Sequence, residues 1–95
     1  MTTDELRENM RGQIADLRAQ REASTDDEEK KAANEAIEAI QNTIRQIDID
    51  AANQLGGKID ALIKDLDAVL DKYPLDAVSA LGRTIKKVRT ELSQR

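Results

Sequence analysis

The sequence predicts an all-α fold: a small bundle of three to four helices with a long central helix and coiled-coil-like packing. Isoleucine recurs through the middle of the chain at steps of three and four, which places these side chains in one stripe along a helix. Three other segments repeat this apolar spacing, and the strongest helix breakers, Gly56-Gly57 and Pro74, lie between segments. We expect one domain, residues 1–95, with helices at about 3–23, 26–55, 58–73 and 75–92. The central isoleucines are Ile37, Ile40, Ile44 and Ile47.

The first predicted helix, 3–23, has its apolar side chains on one edge. On its solvent side, acidic residues precede arginines by three positions, and we expect Asp4 to pair with Arg7 and Glu8 with Arg11. The apolar edge consists of Leu6, Met10, Ile14 and Leu17.

The second predicted helix, 26–55, follows a short connection, where Thr25 and Glu28 fit a capping box. So short a connection implies that the first two helices form an antiparallel hairpin. At 1.5 Å per residue the second helix would span about 45 Å, whereas the first would span about 31 Å. The far half of the isoleucine stripe therefore needs cover from helix three, helix four or another subunit. We favour a core role for the stripe over a binding role.

The pair Gly56-Gly57 has two interpretations. A glycine just after Leu55 can take the left-handed conformation that ends a helix. The alternative is a kinked continuation, because Leu55, Ile59 and Leu62 stay nearly in phase. We favour the break, since paired glycines lose much conformational entropy in a helix. The core residues expected in helices three and four include Leu62, Leu66, Ile85 and Val88.

The composition excludes several kinds of chemistry. The chain has no histidine and no cysteine, so it lacks the usual general base near neutral pH, thiolate chemistry and zinc-finger ligands. Asp48-Ile49-Asp50 could begin a calcium loop, but Ala52 and Asn53 occupy the positions of a ligand and of the invariant glycine. No glycine-rich phosphate loop is present. We expect no catalytic residue, no metal and no cofactor, and therefore no enzyme.

The hydropathy pattern bears on location. No apolar run approaches the roughly 18 residues of a membrane span, and the amino terminus has no signal-peptide core. We expect a soluble, cytoplasmic protein with no membrane partner.

The net charge of −4 is unevenly distributed. A small acidic protein without catalytic groups suits a protein–protein interaction role, as an adaptor, a chaperone or an inhibitor that occupies a basic surface of a larger machine. Inhibitors in host defence or anti-defence belong to this class. The candidate partner-binding residues on the acidic faces are Asp48, Ile49, Asp50, Asp60, Asp67 and Asp71.

Self-association is a second expectation. Isoleucine at both seam positions favours higher oligomers in parallel coiled coils, and the rule transfers only partly to antiparallel bundles. We expect a homo-oligomer, with a dimer favoured.

The alternative function is nucleic-acid binding through the basic carboxy-terminal helix. Residues 77–95 hold five basic side chains and one acidic side chain, a local charge of +4. We rank it second, because the body of the chain is acidic and a helix carboxy terminus favours cations in any case. Its candidate residues are Arg83, Lys86, Lys87 and Arg89.

Overall fold

Four helices account for 92% of the residues that the structure describes, and none of those residues is in a strand. This structure is a computed structural model that describes residues 3–49, 55–73 and 79–94, with side chains for 4–46, 57–73 and 79–94. The helices pack against each other in a compact bundle, which confirms the predicted all-α class. They are α1 (Thr3–Ala23), α2 (Asp27–Ile49), α3 (Leu55–Lys72) and α4 (Ala80–Ser93).

Successive helices run in opposite directions. The end of α1 lies beside the start of α2, the end of α3 also lies there, and α4 begins at the same end of the bundle. α2 packs between α1 and α3, and α4 closes the ring by packing on α3 and α1. The bundle measures 39 × 21 × 20 Å. The contacts that fix these directions are Arg21 to Asn34 at 2.7 Å, Lys72 to Glu35 at 3.2 Å and Ser79 to Glu29 at 2.8 Å.

The core lies on the faces that the apolar spacing predicts. All four residues of the predicted apolar edge of α1 are buried. On α2, Ile37 and Ile40 are buried, whereas Ile44 is half-buried and packs against the core from its margin. Ile47 lies in α2, but its side chain is outside the described residues. Each fully buried Leu or Ile stabilises the fold by about 1.5–3 kcal/mol. The predicted core residues of α3 and α4 are also buried: Leu62, Leu66, Ile85 and Val88.

The described part of α2 ends at Ile49, and residues 50–54 lie outside the described residues. Leu55 begins α3, which runs antiparallel to α2, so the prediction of one helix from 26 to 55 is wrong. With 23 residues, α2 is about 35 Å long, close to the length of α1. The isoleucine stripe is covered by α1 on one side and by α3 on the other. Its described part therefore needs no second subunit.

Gly56 and Gly57 belong to the first turn of α3. Helix three starts at Leu55 instead of Lys58, so the glycines lie inside it and do not separate helices two and three as predicted. No described glycine has a positive φ, so Gly56 and Gly57 do not form a left-handed cap. The first turn tolerates glycine because its backbone N–H groups have no partners within the helix.

The starts of α2 and α4 are set by side-chain caps. Asp26, not Thr25, caps α2, and its Oδ1 accepts a hydrogen bond of 2.9 Å from the backbone N–H of Glu28. Ser79 caps α4 in an extended conformation, with φ −62° and ψ 129°, and accepts from the backbone N–H of Gly82 at 3.4 Å. Since Ser79 is not helical, the predicted start of helix four at residue 75 is wrong; residues 75–78 lie outside the described ranges.

Candidate functional site

One face of α1 outside the core carries most of its positive charge. Four arginines and one isoleucine follow each other at steps of four, three, four and three, so they form a single stripe along the helix. Arg11 and Arg18 are exposed and Arg7 and Arg21 are partly buried, so the stripe presents a cationic edge that is most accessible in its middle. The residues of the stripe are Arg7, Arg11, Ile14, Arg18 and Arg21.

This stripe borders an open groove of about 600 Å³ between α1 and α2, which we call the arginine groove. Ile14 is buried and Ile44 is half-buried, so both lie deeper than the exposed arginines and form the floor. Among the residues whose side chains the structure describes, none that lines the groove is acidic. The lining residues are Arg11, Ile14, Arg18, Gln41, Ile44 and Arg45.

The three arginines of the groove differ in their partners. Arg11 Nη1 lies 3.1 Å from Glu8 Oε1, and the two side chains are 56% and 73% exposed. The pair confirms the predicted contact, and at such exposure it contributes at most about 1 kcal/mol. Arg18 and Arg45 make no ion pair or hydrogen bond with any residue that the structure describes. The groove therefore offers cationic groups that an anionic ligand can reach.

The neighbouring grooves have the opposite charge. The groove between α1 and α4, of about 500 Å³, is lined mainly by acidic and amide side chains, and the groove between α2 and α3, of about 310 Å³, has three acidic side chains and one lysine. The arginine groove thus lies between two acidic surfaces on a protein of net charge −4. The acidic lining residues are Glu8, Asp16 and Glu91 in the first of these grooves and Glu35, Glu38 and Asp65 in the second.

The predicted acidic candidates do not gather in one place. Asp60 and Asp71 are exposed on α3, whereas Asp67 is half-buried and forms an ion pair with Arg89 of α4. This pair joins a residue of the predicted acidic surface to a residue of the predicted basic surface. The other candidates have side chains outside the described residues: Asp48, Ile49 and Asp50.

The predicted basic candidates of α4 are partly neutralised. The Arg89 guanidinium contacts the Asp67 carboxylate, and Lys87 Nζ lies 4.0 Å from Glu91 Oε1. Arg83 and Lys86 are exposed, and no described residue forms an ion pair with either. Two of the four candidate cations therefore lie against carboxylates.

A polar cluster joins the starts of α2 and α4. Ser79 donates a hydrogen bond of 2.8 Å to Glu29 Oε1, and Ser24 donates one of 2.6 Å to Glu29 Oε2. Each hydroxyl also accepts a backbone N–H, Ser79 from Gly82 and Ser24 from Asp26. Both serines are thus engaged in fixing a helix cap and a turn, and the cluster is structural.

A second polar cluster lies where the end of α3 meets α2. The Tyr73 hydroxyl, and after it the Lys72 ammonium, hold the pKa of the Glu35 carboxyl below its usual value. Glu35 in turn raises the pKa of Lys72, which donates a hydrogen bond of 3.2 Å to it, and the pKa of Tyr73. The Lys72 ammonium lies 5.3 Å from the centroid of the Tyr73 ring. These contacts tie α3 to α2 beside the acidic groove.

Sequence reasoning missed the arginine groove. It placed Arg7 and Arg11 on the solvent side of the first helix and did not connect them with Arg18 or Arg45. The spacing of the α1 arginines is a signal that the sequence contains. The position of Arg45 opposite that stripe is set by the pairing of α1 with α2.

The described residues contain no group of three or more His, Cys, Asp or Glu side chains that could hold a metal ion. Within the same ranges, no helix combines the length and the apolar character needed to cross a membrane. Compared with known proteins, the chain matches no protein family, no curated protein and no solved structure.

Proposed function

We propose that this chain is a non-enzymatic protein–protein interaction module that binds its partner in the arginine groove. The observation that carries the proposal is the position of Ile44, a half-buried aliphatic side chain between exposed arginines. Arginine is enriched at protein interfaces, because its planar guanidinium binds carboxylates and its stem packs on apolar groups. An apolar centre with a charged border is the usual arrangement of such a surface.

The biological role of such a module is that of an adaptor, a chaperone or an inhibitor of a larger machine, including one in host defence or anti-defence. The net charge of −4 supports an inhibitor that occupies a basic surface through the acidic grooves. The arginine groove supports the opposite polarity, an acidic segment of the partner. We favour the arginine groove, because it combines charge with an apolar floor.

Self-association remains a weaker proposal. The isoleucine stripe of α2 does not support self-association, because α1 and α3 both pack along α2 and cover the stripe without a second subunit. A symmetric dimer through the arginine groove would also place arginines against arginines.

The test uses a photo-cross-linking amino acid at Gln41, which lines the groove, and at Ala61, which is exposed on α3. Each protein is irradiated in extract of the native host, and cross-linked proteins are identified by mass spectrometry. We expect a specific, saturable cross-link at Gln41 and none of the same identity at Ala61.

The control separates the groove from general charge. A groove variant, Arg18→Glu with Arg45→Glu, should abolish the Gln41 cross-link. The matched variant Arg83→Glu with Lys86→Glu makes the same charge change on α4 and should keep it. No cross-link at Gln41, or one that survives the groove variant, would contradict the proposal.

The alternative, nucleic-acid binding, has its own test. It would be favoured if the wild-type protein binds duplex DNA at low salt and the α4 variant does not.

A further inference from the structure

The partner segment can be described by its chemistry. We infer that the arginine groove binds an acidic amphipathic α-helix, which lies along α1 and α2 as a fifth helix of the bundle. The inference rests on the proposed function and adds the shape and charge of the partner.

First, the helical walls of the groove limit the backbone conformation of a segment that binds there. Both walls of the groove are helices, whose interior N–H and C=O groups are paired within the helix. An extended segment would find no backbone partners along such walls, whereas sheet edges provide them. A helix satisfies its own backbone and can pack its side chains between those of α1 and α2. The groove therefore favours a helical occupant.

The second step is charge complementarity. Arg11 and Arg18 are seven residues apart on α1, a rise of about 10.5 Å, or two turns. A partner helix that follows α1 meets them with carboxylates two turns apart on one flank. Arg45, on the α2 side of the groove, faces the other flank. Acidic residues at positions i and i+7 on the flank that faces α1, and one acidic residue on the flank that faces α2, therefore match the three arginines.

The third step is the apolar floor. Ile14 lies midway between Arg11 and Arg18, and Ile44 lies beside Arg45. Ile14 is already buried, so leucine or isoleucine at positions i+3 and i+4 of the partner would chiefly cover the half-buried Ile44. This requirement disfavours nucleic acid, since phosphates gain nothing from isoleucine and the groove has no aromatic side chain on which bases could stack.

The test uses three synthetic helical peptides of equal length with a fluorescent label. The first has Glu at i and i+7 on the flank that faces α1, one Glu on the flank that faces α2, and Leu at i+3 and i+4. The second replaces each Glu by Gln, and the third keeps the composition of the first but scatters Glu and Leu around the helix. Fluorescence anisotropy measures the binding of each peptide to the full chain at low and at high salt.

We expect the first peptide to bind about ten-fold more tightly than the Gln peptide, the combined effect of three surface ion pairs. The scattered peptide should bind no better than the Gln peptide, and added salt should remove the difference. Arg18→Gln with Arg45→Gln should remove it as well, while Arg83→Gln with Lys86→Gln should leave it. Circular dichroism of each variant checks that its helices are intact.

Each of the following results would overturn the inference. If the acidic and Gln peptides bind equally well, charge does not select the occupant. If the scattered peptide binds as well as the acidic peptide, the positions of Glu and Leu around the helix do not select it either. Displacement of the peptide by duplex DNA would assign the groove to nucleic acid. A dimer lost in the groove variant would assign it to a second copy of the chain. If Gln41 cross-links a partner protein while the acidic peptide fails, the inference falls and the proposed function stands; if Gln41 cross-links nothing, the proposed function falls.

Discussion

The hydroxyl of Ser79 donates a hydrogen bond of 2.8 Å to the carboxylate of Glu29, 50 positions earlier in the chain. Ser24 donates to the other oxygen of the same carboxylate at 2.6 Å. One side chain of α2 therefore holds both the turn that precedes its own helix and the cap of α4. The contact with Ser24 spans five positions, whereas the contact with Ser79 depends on the packing of α4 beside α2 and cannot follow from a pattern of neighbouring residues.

Glu29→Ala should lower the free energy of unfolding by about 1–3 kcal/mol, because both hydroxyls lose their acceptor and the cap of α4 loses its support. Urea unfolding followed by circular dichroism measures the loss. Glu28→Ala is the control, since Glu28 lies in the same turn and is exposed. Its effect should stay below about 0.5 kcal/mol. Equal losses in the two variants would mean that the serine contacts contribute nothing.

The ion pair between Asp67 and Arg89 should couple α3 to α4 weakly. Both side chains are 43% exposed, so a double-mutant cycle of Asp67→Asn and Arg89→Gln should give a coupling energy of about 0.2–1 kcal/mol. The control is a second double-mutant cycle with Asp67→Asn and Lys86→Gln. Its two effects on the free energy of unfolding should be additive. Additive effects in the first cycle would show that the contact is not maintained in solution.

Two glycine substitutions should stabilise the protein. A Cβ atom added at Gly12 or at Gly57 meets no other atom within 4 Å, and neither residue has a positive φ. Gly12→Ala in the middle of α1 should raise the free energy of unfolding by about 0.5–1 kcal/mol, as helix propensity predicts. Gly57→Ala, in the first turn of α3, should raise it less. A loss of stability in Gly57→Ala would place that glycine in a left-handed turn instead of a helix.

Stability should fall in acid partly through Glu35. Its folded pKa lies below the unfolded value of about 4.3, so the folded state binds fewer protons in this range. The contribution of Glu35 is present above about pH 4.3 and is lost as the pH falls through the folded pKa. Urea unfolding at about pH 7 and about pH 3 should show a smaller acid loss in Glu35→Gln than in the wild type. The control Glu38→Gln, at an exposed position on the same helix, should lose as much stability in acid as the wild type. If Glu35→Gln also loses as much as the wild type, the prediction is wrong.

The alkaline side of the same cluster has the opposite sign. Lys72 and Tyr73 both have raised pKa values, so their contribution is present below about pH 10 and is lost as the pH rises through the folded values. Glu35→Gln removes the common partner of both groups. The variant should therefore lose less stability between about pH 9 and about pH 11 than the wild type, measured by the same unfolding experiment.

Only some residues of the candidate site could be predicted from the sequence. The arginines of α1 follow the helical period, so their common face could have been predicted from positions 7 to 21. Arg45 belongs to the groove only because α2 folds back on α1 with a particular register. In the same way, Asp67 and Arg89 were assigned to two opposite surfaces, and the packing of α4 on α3 joined them in one ion pair.

By itself, the sequence determined the all-α class, the apolar faces of the helices and the extent of α1, because the period of apolar residues decides which side of a helix leaves water. Only the tertiary structure decided that α2 and α3 are antiparallel partners, that α4 begins after Ser79 and not at residue 75, and that arginines from two helices share one groove. Those outcomes depend on contacts between residues far apart in the chain, and local spacing does not encode which helices become neighbours.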